Sequence, residues 1–206
     1  NPHAWGRANH ATAHFSELEL VTWLNNNFTG FLIGKTDWEY LRDCFCIFSK
    51  IGYHFIKTEA GSPNAVLTQC GADICPVAVQ VDSSQSHSGV AFTNAQIMGT
   101  VIVGERNTGP VKFSNSGFWA VKETREQVVM NGRGTVILDA CHFNDWDCQK
   151  ESAPCIRVNA GSAIVQACLF MRDKKPEIVI GEKAKSVVVT GSQFDGTPQI
   201  VNQSKG

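Results

Sequence analysis

The stretch Val111-Lys-Phe-Ser-Asn-Ser-Gly-Phe118 returns, in altered letters, as Val187-Val-Val-Thr-Gly-Ser-Gln-Phe194. Counting the first residue as offset 0, apolar side chains stand at offsets 0, 2 and 7. The same frame fits Val90, Phe92, Ile97, then Val136, Leu138, Phe143, then Ala163, Val165, Phe170, with a weaker copy at Ala65, Leu67, Ala72. Successive starts lie 25, 21, 25, 27 and 24 residues apart. Self-similarity at such a period marks stacked supersecondary units.

The intervening offsets sharpen the pattern. Offset 5 is small in every copy: Cys70, Ala95, Ser116, Cys141, Cys168, Ser192. Offset 4 reads Gln69, Asn94, Asn115, Ala140, Ala167, Gly191, and its Asn and Gly members tolerate a left-handed backbone, so a tight bend belongs there. Each unit then closes on a further β-branched run, such as Val77–Val81 or Ile178–Ile180. Offsets 0 and 2 alternate with polar neighbours and form a short strand facing inward. The bend turns the chain, and offset 7 sends a larger side chain back into the same interior. No unit can bury its apolar face alone, but stacked units share one core. The expected fold class is all-β, a right-handed parallel β-helix with a rise of about 4.8 Å per coil. Asn94 above Asn115 would form an amide ladder. An antiparallel sandwich would use Asn131-Gly132 and Asp195-Gly196 as hairpin turns, yet it gives no reason for columns at offsets 4, 5 and 7.

Units such as Val111–Phe118 and Val187–Phe194 give the chain a resemblance to the right-handed parallel β-helices of the pectate-lyase-like (pectin lyase fold) superfamily, over about residues 30–206. The resemblance implies a fold and a range of roles: polysaccharide lyases, glycoside hydrolases, phage tailspikes and surface modules. It does not carry a reaction. The Asn-Thr-Asp, Asp-Asp and Gly-His-Gly patterns of polygalacturonases are absent, as is an Arg-x-Pro-x-x-Arg of the calcium lyases.

Composition sets the outer bounds. The 206 residues are 43% hydrophobic and 18% charged, enough for a real core and no case for disorder. A net charge of −1 argues against a nucleic-acid partner. No apolar run approaches the ~18 residues of a membrane span. The Asn1-Pro2-His3 start does not read as a signal peptide; it reads as the interior of a longer precursor or as a trimmed chain. Eight cysteines do not have the spacing of a small secreted scaffold, and Cys44-Phe45-Cys46 is too tight for a zinc pair, so most are expected as buried thiols. Cys148 and Cys155 flank a loop and are the candidate disulfide.

The domain reading is an N-terminal segment, 1–29, and a β-helix domain, 30–206. Ser16-Glu-Leu-Glu19 is a capping box that opens a short amphipathic helix over 16–26 and covers an end of the solenoid. Residues 30–58 form the irregular first coils, where Cys44 joins the small column only if Glu39 takes an inward place, at a cost.

Chemistry is expected where loops lengthen after offset 7, at 119–127, 144–152 and 171–176. Insertions at one offset stack on one edge of a solenoid. That would bring Trp119 and Trp146 together with Arg125, Lys150 and Arg172 as substrate-binding residues. Asp145, Asp147 and Glu151 are the candidate catalytic carboxylates. Aromatic faces with paired carboxyls suit glycoside hydrolysis. A carboxylate cluster also suits calcium, and no other cofactor is expected. The plainer reading is a solvated rim whose tryptophans pack over the loop bases. Weaker constellations are Cys141-His142, whose side chains point to opposite faces; His10 with His14, one helical turn apart; the patch Asp37, Glu39, Arg42, Asp43; and the sequons at Asn27 and Asn202. The expected function is binding or cleavage of a polysaccharide in an extracellular or cell-surface setting. The expected partners are a glycan and an upstream part of the precursor or a second copy, with no nucleic acid or membrane. The alternative is a non-catalytic structural or surface-interaction module.

Overall fold

A computed structural model describes residues 14–204 of the chain. After one helix, α1 (Glu17–Asn27), the chain winds through about seven turns of a parallel β-solenoid. The first coil is β1 (Thr29–Ile33), β2 (Glu39–Arg42) and β3 (Phe45–Ile47). Next come β4 (Ile51–Phe55), β5 (Ala65–Thr68) and β6 (Gly71–Asp73), then β7 (Val77–Val81), β8 (Val90–Thr93) and β9 (Gln96–Met98). The middle coils are β10 (Thr100–Val103), β11 (Val111–Ser114) and β12 (Gly117–Trp119), then β13 (Val128–Met130), β14 (Thr135–Asp139) and β15 (His142–Phe143). In the last coils two faces merge into one bent strand: β16 (Ile156–Gln166) with β17 (Leu169–Phe170), and β18 (Ile178–Thr190) with β19 (Gln193–Phe194), before β20 (Ile200–Asn202). Every pairing between these strands is parallel and joins neighbouring coils, giving three faces around one core.

The columns read from the sequence are the register. Val90, Val111, Val136, Ala163 and Val187 lie one above another, as do Phe92, Phe113, Leu138, Val165 and Val189. Phe118, Phe143, Phe170 and Phe194 form the third file, with ring centroids 4.8, 4.9 and 4.6 Å apart. That spacing is the rise of one strand, so each coil renews the same aromatic contact.

The bend at offset 4 is left-handed in every coil. Gln69, Asn94, Asn115, Ala140, Ala167 and Gly191 have φ between +47° and +61°, and Asp43 extends the column to the first coil at +54°. Asn115 Nδ2 donates to Asn94 Oδ1 at 2.6 Å, which is the expected amide ladder. The small residue after the bend donates back to the carbonyl two residues before it: Ser116 Oγ to Ser114 O at 2.9 Å, and the Sγ atoms of Cys141 and Cys168 to the Asp139 and Gln166 carbonyls at 3.4 and 3.3 Å. Each of these carbonyls also accepts the backbone N–H of the bend residue one coil back, from Asn94, Asn115 and Ala140, so a small donor at offset 5 adds a second bond at the turn. All eight cysteines are free thiols, Cys148 and Cys155 included.

Glu39 does align with Ala65, and Cys44 does join the small column. The cost is reduced because β2 is the end rung: Glu39 is only half-buried, and Thr36 Oγ1 donates to its carboxylate at 3.3 Å. Ser16 caps α1 reciprocally with Glu19, and the helix buries Leu24 against Ile47 and Phe48 of the first coil. Among the described residues no helix is long and apolar enough to cross a membrane.

Candidate functional site

The long loops after offset 7 are tied to one another by their charges. Lys174 Nζ meets Asp145 Oδ1 at 2.6 Å and also donates to the Trp146 carbonyl at 2.6 Å. Asp147 has φ +49° and accepts the backbone N–H groups of Glu151 and Ser152, at 2.9 and 3.2 Å. Glu151 pairs with Arg125 at 2.7 Å. Lys150 and Arg172 are exposed beside them. Asp145, Glu151 and Arg125 therefore compose a neutralised rim, and Asp147 staples its own loop.

The two tryptophans part company. Trp146 is fully buried, edge-on to Phe170 with centroids 6.2 Å apart, and offers no face to a ligand. Trp119 is the last residue of β12, on the outer surface of the third face. Its Nε1 donates to Gln96 Oε1 at 3.0 Å, and its ring stands edge-to-face with His142 at 6.0 Å. Outward positions of β3, β6, β9 and β12 surround it. With Phe45, Asp73, Gln96 and Met98 it lines a groove of about 270 Å³. A second hollow of about 350 Å³ shares Phe45 and Gln96 and adds Gln69, Gly71 and Asn94.

Two missing side chains make this relief. A Cβ on Gly71 would lie 2.8 Å from the Phe45 ring, and one on Gly117 would lie 2.8 Å from both Gln96 Oε1 and the His142 ring. Glycine at both places lets Phe45 lie down on the sheet and lets Gln96 and His142 close over β12. Burial lifts the Asp73 carboxyl above the ordinary carboxylate range, although a backbone N–H from Ile74 pulls the other way. Asp73 has no ion pair among the described residues.

Sequence reasoning singled out Trp119 but missed Phe45, Asp73, Gln96 and Met98, because they stand at offsets 6 and 8, which lie outside the columns used to find the repeat. The available signal was the alternation at offset 6 of Phe45, Gly71, Gln96, Gly117 and His142, large beside absent. Cys141 and His142 do not form a nucleophile and base: Cys141 is buried and its thiol faces the Phe113 and Asp139 carbonyls, while His142 is on the outer face. Of the histidine pair, His10 lies outside the described residues. Among the described residues no three His, Cys, Asp or Glu side chains converge as metal ligands. In the N-terminal patch Asp37 pairs with Lys35 at 2.5 Å and Asp43 with Arg42 at 3.3 Å.

Compared with known proteins, the chain matches no family model, no curated protein and no solved structure.

Proposed function

We propose that this chain is a polysaccharide-binding β-helix of the pectate-lyase-like kind, and that it seats sugar rings on the outer surface of its third face against Trp119 and Phe45. The single observation that carries the reading is the groove beside Trp119, with aromatic and thioether walls, amides at its edge and one carboxylate. A pyranose presents an apolar C–H face bordered by hydroxyls. Its flat face packs on an aromatic ring, and its hydroxyls take the oxygens and amides at the edge. The hydrogen bond from the Trp119 indole to Gln96 holds the ring before the ligand arrives, which lowers the entropy cost of binding.

Binding without bond cleavage is the reading the carboxylates favour. Hydrolysis by two carboxyls needs one free acid and one free base or nucleophile. Asp145 and Glu151 each face a cation, and both Asp147 oxygens hold backbone N–H groups. Calcium would have to displace those partners to gather its six or more oxygens. An extracellular or cell-surface setting belongs to the proposal, since that is where polysaccharide is met.

A panel of oligosaccharides, read by calorimetry and by reducing-end and unsaturated-product assays, tests the proposal. Expected are saturable binding, no product, and loss of binding in Trp119→Ala and Phe45→Ala. Binding unchanged in both variants would remove the groove from the reading. No binding to any glycan would leave a structural or surface-interaction solenoid, and product that disappears in Asp145→Ala, Asp147→Ala or Glu151→Ala would restore cleavage at the rim.

A further inference from the structure

The corner between the first and second faces carries a different chemistry. Loops 56–64, 82–89, 104–110 and 131–134, one from each of four successive coils, line an open trough of about 990 Å³. Their interior polar groups are spent on one another. Buried Ser84 donates to Asn107 Oδ1 at 2.7 Å, Asn107 Nδ2 donates to the Gly109 carbonyl at 2.8 Å, and buried Asn64 donates to Gln85 Oε1 at 2.8 Å. These bonds fix the loop backbones, so the trough is preformed rather than assembled by a ligand.

Each loop then contributes one basic side chain to the lining: Lys57, His87, Arg106 and Arg133. Opposing them are Glu59 and Asp82, and Asp82 is already engaged, by His54 Nε2 at 2.8 Å and Gln80 Nε2 at 2.9 Å. Arg42, Arg125 and Arg157 each have a carboxylate partner. Arg106 and Arg133 form no ion pair among the described residues, although Arg106 lies within the field of Asp82. They sit on adjacent loops joined by the Arg133 N–H, which donates to the Asn107 carbonyl at 2.9 Å. Adjacent rungs are separated by about 4.8 Å. An anion in the trough is therefore within reach of both side chains, and each guanidinium fork matches two oxygens of one tetrahedral group.

We infer that Arg106 and Arg133 form a binding site for a tetrahedral oxyanion, the phosphate or sulfate group of an ester or the free ion. The site shares no lining residue with the Trp119 groove, which lies on the outer surface of the third face, and it stands whether or not that groove binds sugar.

Titration of the full chain with inorganic phosphate, inorganic sulfate, a hexose 6-phosphate, a hexose 6-sulfate and the unmodified hexose tests it. At least one oxyanion is expected to bind saturably in the millimolar range or tighter. The affinity should fall about tenfold or more in Arg106→Ala and in Arg133→Ala, and also in Arg133→Lys, which keeps the charge and loses the fork. Lys112→Ala, which removes a cation from the outer surface of β11, is expected to change nothing. Preference for an ester over its free ion identifies an esterified ligand, and the reverse identifies the free ion. Both arginines are exposed, so the variants are expected to fold, with an unchanged far-ultraviolet spectrum as the check. No saturable binding of any oxyanion, or an equal loss in Lys112→Ala, would overturn the inference. Trp119→Ala should leave oxyanion affinity intact, so failure of the glycan reading and failure of this one are separable.

Discussion

Ala140 and Ala167 hold the left-handed bend with φ of +51° each, where other coils use Asp, Gln, Asn or Gly. A Cβ in that region costs about 1–2 kcal/mol. Glycine removes the strain but adds about 0.4–1 kcal/mol of unfolded-state freedom. Ala167→Gly is therefore expected to stabilise by about 0.5–1 kcal/mol, raising Tm by roughly 1–4 °C in a domain of this size. Thermal unfolding checks it, and a lower Tm would mean that the alanines are held by something other than the turn. The tryptophans give the complementary test. Trp146→Ala empties a fully buried site and should cost about 3–5 kcal/mol. Trp119→Ala should cost far less and act on ligand binding instead, and chemical denaturation beside glycan titration separates the two. The bend was legible because Asn and Gly name a left-handed position by themselves, and the alanines inherited it from their column. The fates of the tryptophans were only partly legible. Trp119 directly follows the inward Phe118 within β12, so alternation turns it outward, whereas Trp146 lies three residues past Phe143 in a polar loop and only the path of that loop turns it inward.

At the scale of loops and strands, carboxylates that looked catalytic in sequence act as fasteners. Asp147 holds two N–H groups of its own loop, as an N-cap residue does, so Asp147→Ala is expected to cost about 0.5–2 kcal/mol. A shift in the urea midpoint measures this. Asp82 ties β7 to β4 through His54. Burial pushes its carboxyl up, but hydrogen bonds from Gln80 and His54, with the fields of His54 and Arg106, outweigh burial and leave it below the ordinary value. Such a group stabilises the fold above its unfolded pKa of about 3.9, and the contribution fades as pH falls from there through the folded value. Stability is thus expected to drop on acidification below about pH 4, and less steeply in Asp82→Asn, as read from urea midpoints between about pH 5 and about pH 2. Equal slopes would show that the pair contributes nothing. Spacing alone announced that loops 144–152 and 171–176 are long and charged. It could not announce that Lys174 reaches back one coil to Asp145, because contacts between coils depend on loop geometry rather than on period. The basic trough was missed for a related reason: its four basic side chains occupy the other corner, one per loop, and no single loop looks basic.

For the molecule as a whole, the period was enough to give the parallel register and the aromatic file, since each coil touches only its neighbours and repeats their contacts. The ends were harder to read because an end coil has one neighbour and its residues follow different demands, as Glu39 in an inward column shows. The same asymmetry governs dynamics. Rings at Phe113, Phe118 and Phe143 are fully buried, with a coil above and a coil below. At the last coil Phe194 stacks on Phe170 from one side only, residues 183–190 pair on one side only, and Val188 is 46% exposed. The first coil has α1 over Ile47 and Phe48, with Leu24 buried between them. In a one-dimensional stack, opening free energy follows the number of intact interfaces. Amide exchange is therefore expected to be slowest in β8, β11 and β14, faster in β3, and fastest in β19 and β20. Leu24→Ala should speed exchange in β3 while leaving β17 unchanged, because it loosens one end and the stack transmits only to the next rung. Uniform protection from β3 to β19, or equal acceleration at both ends in Leu24→Ala, would mean that the solenoid opens as a single cooperative unit and that its stability cannot be apportioned coil by coil.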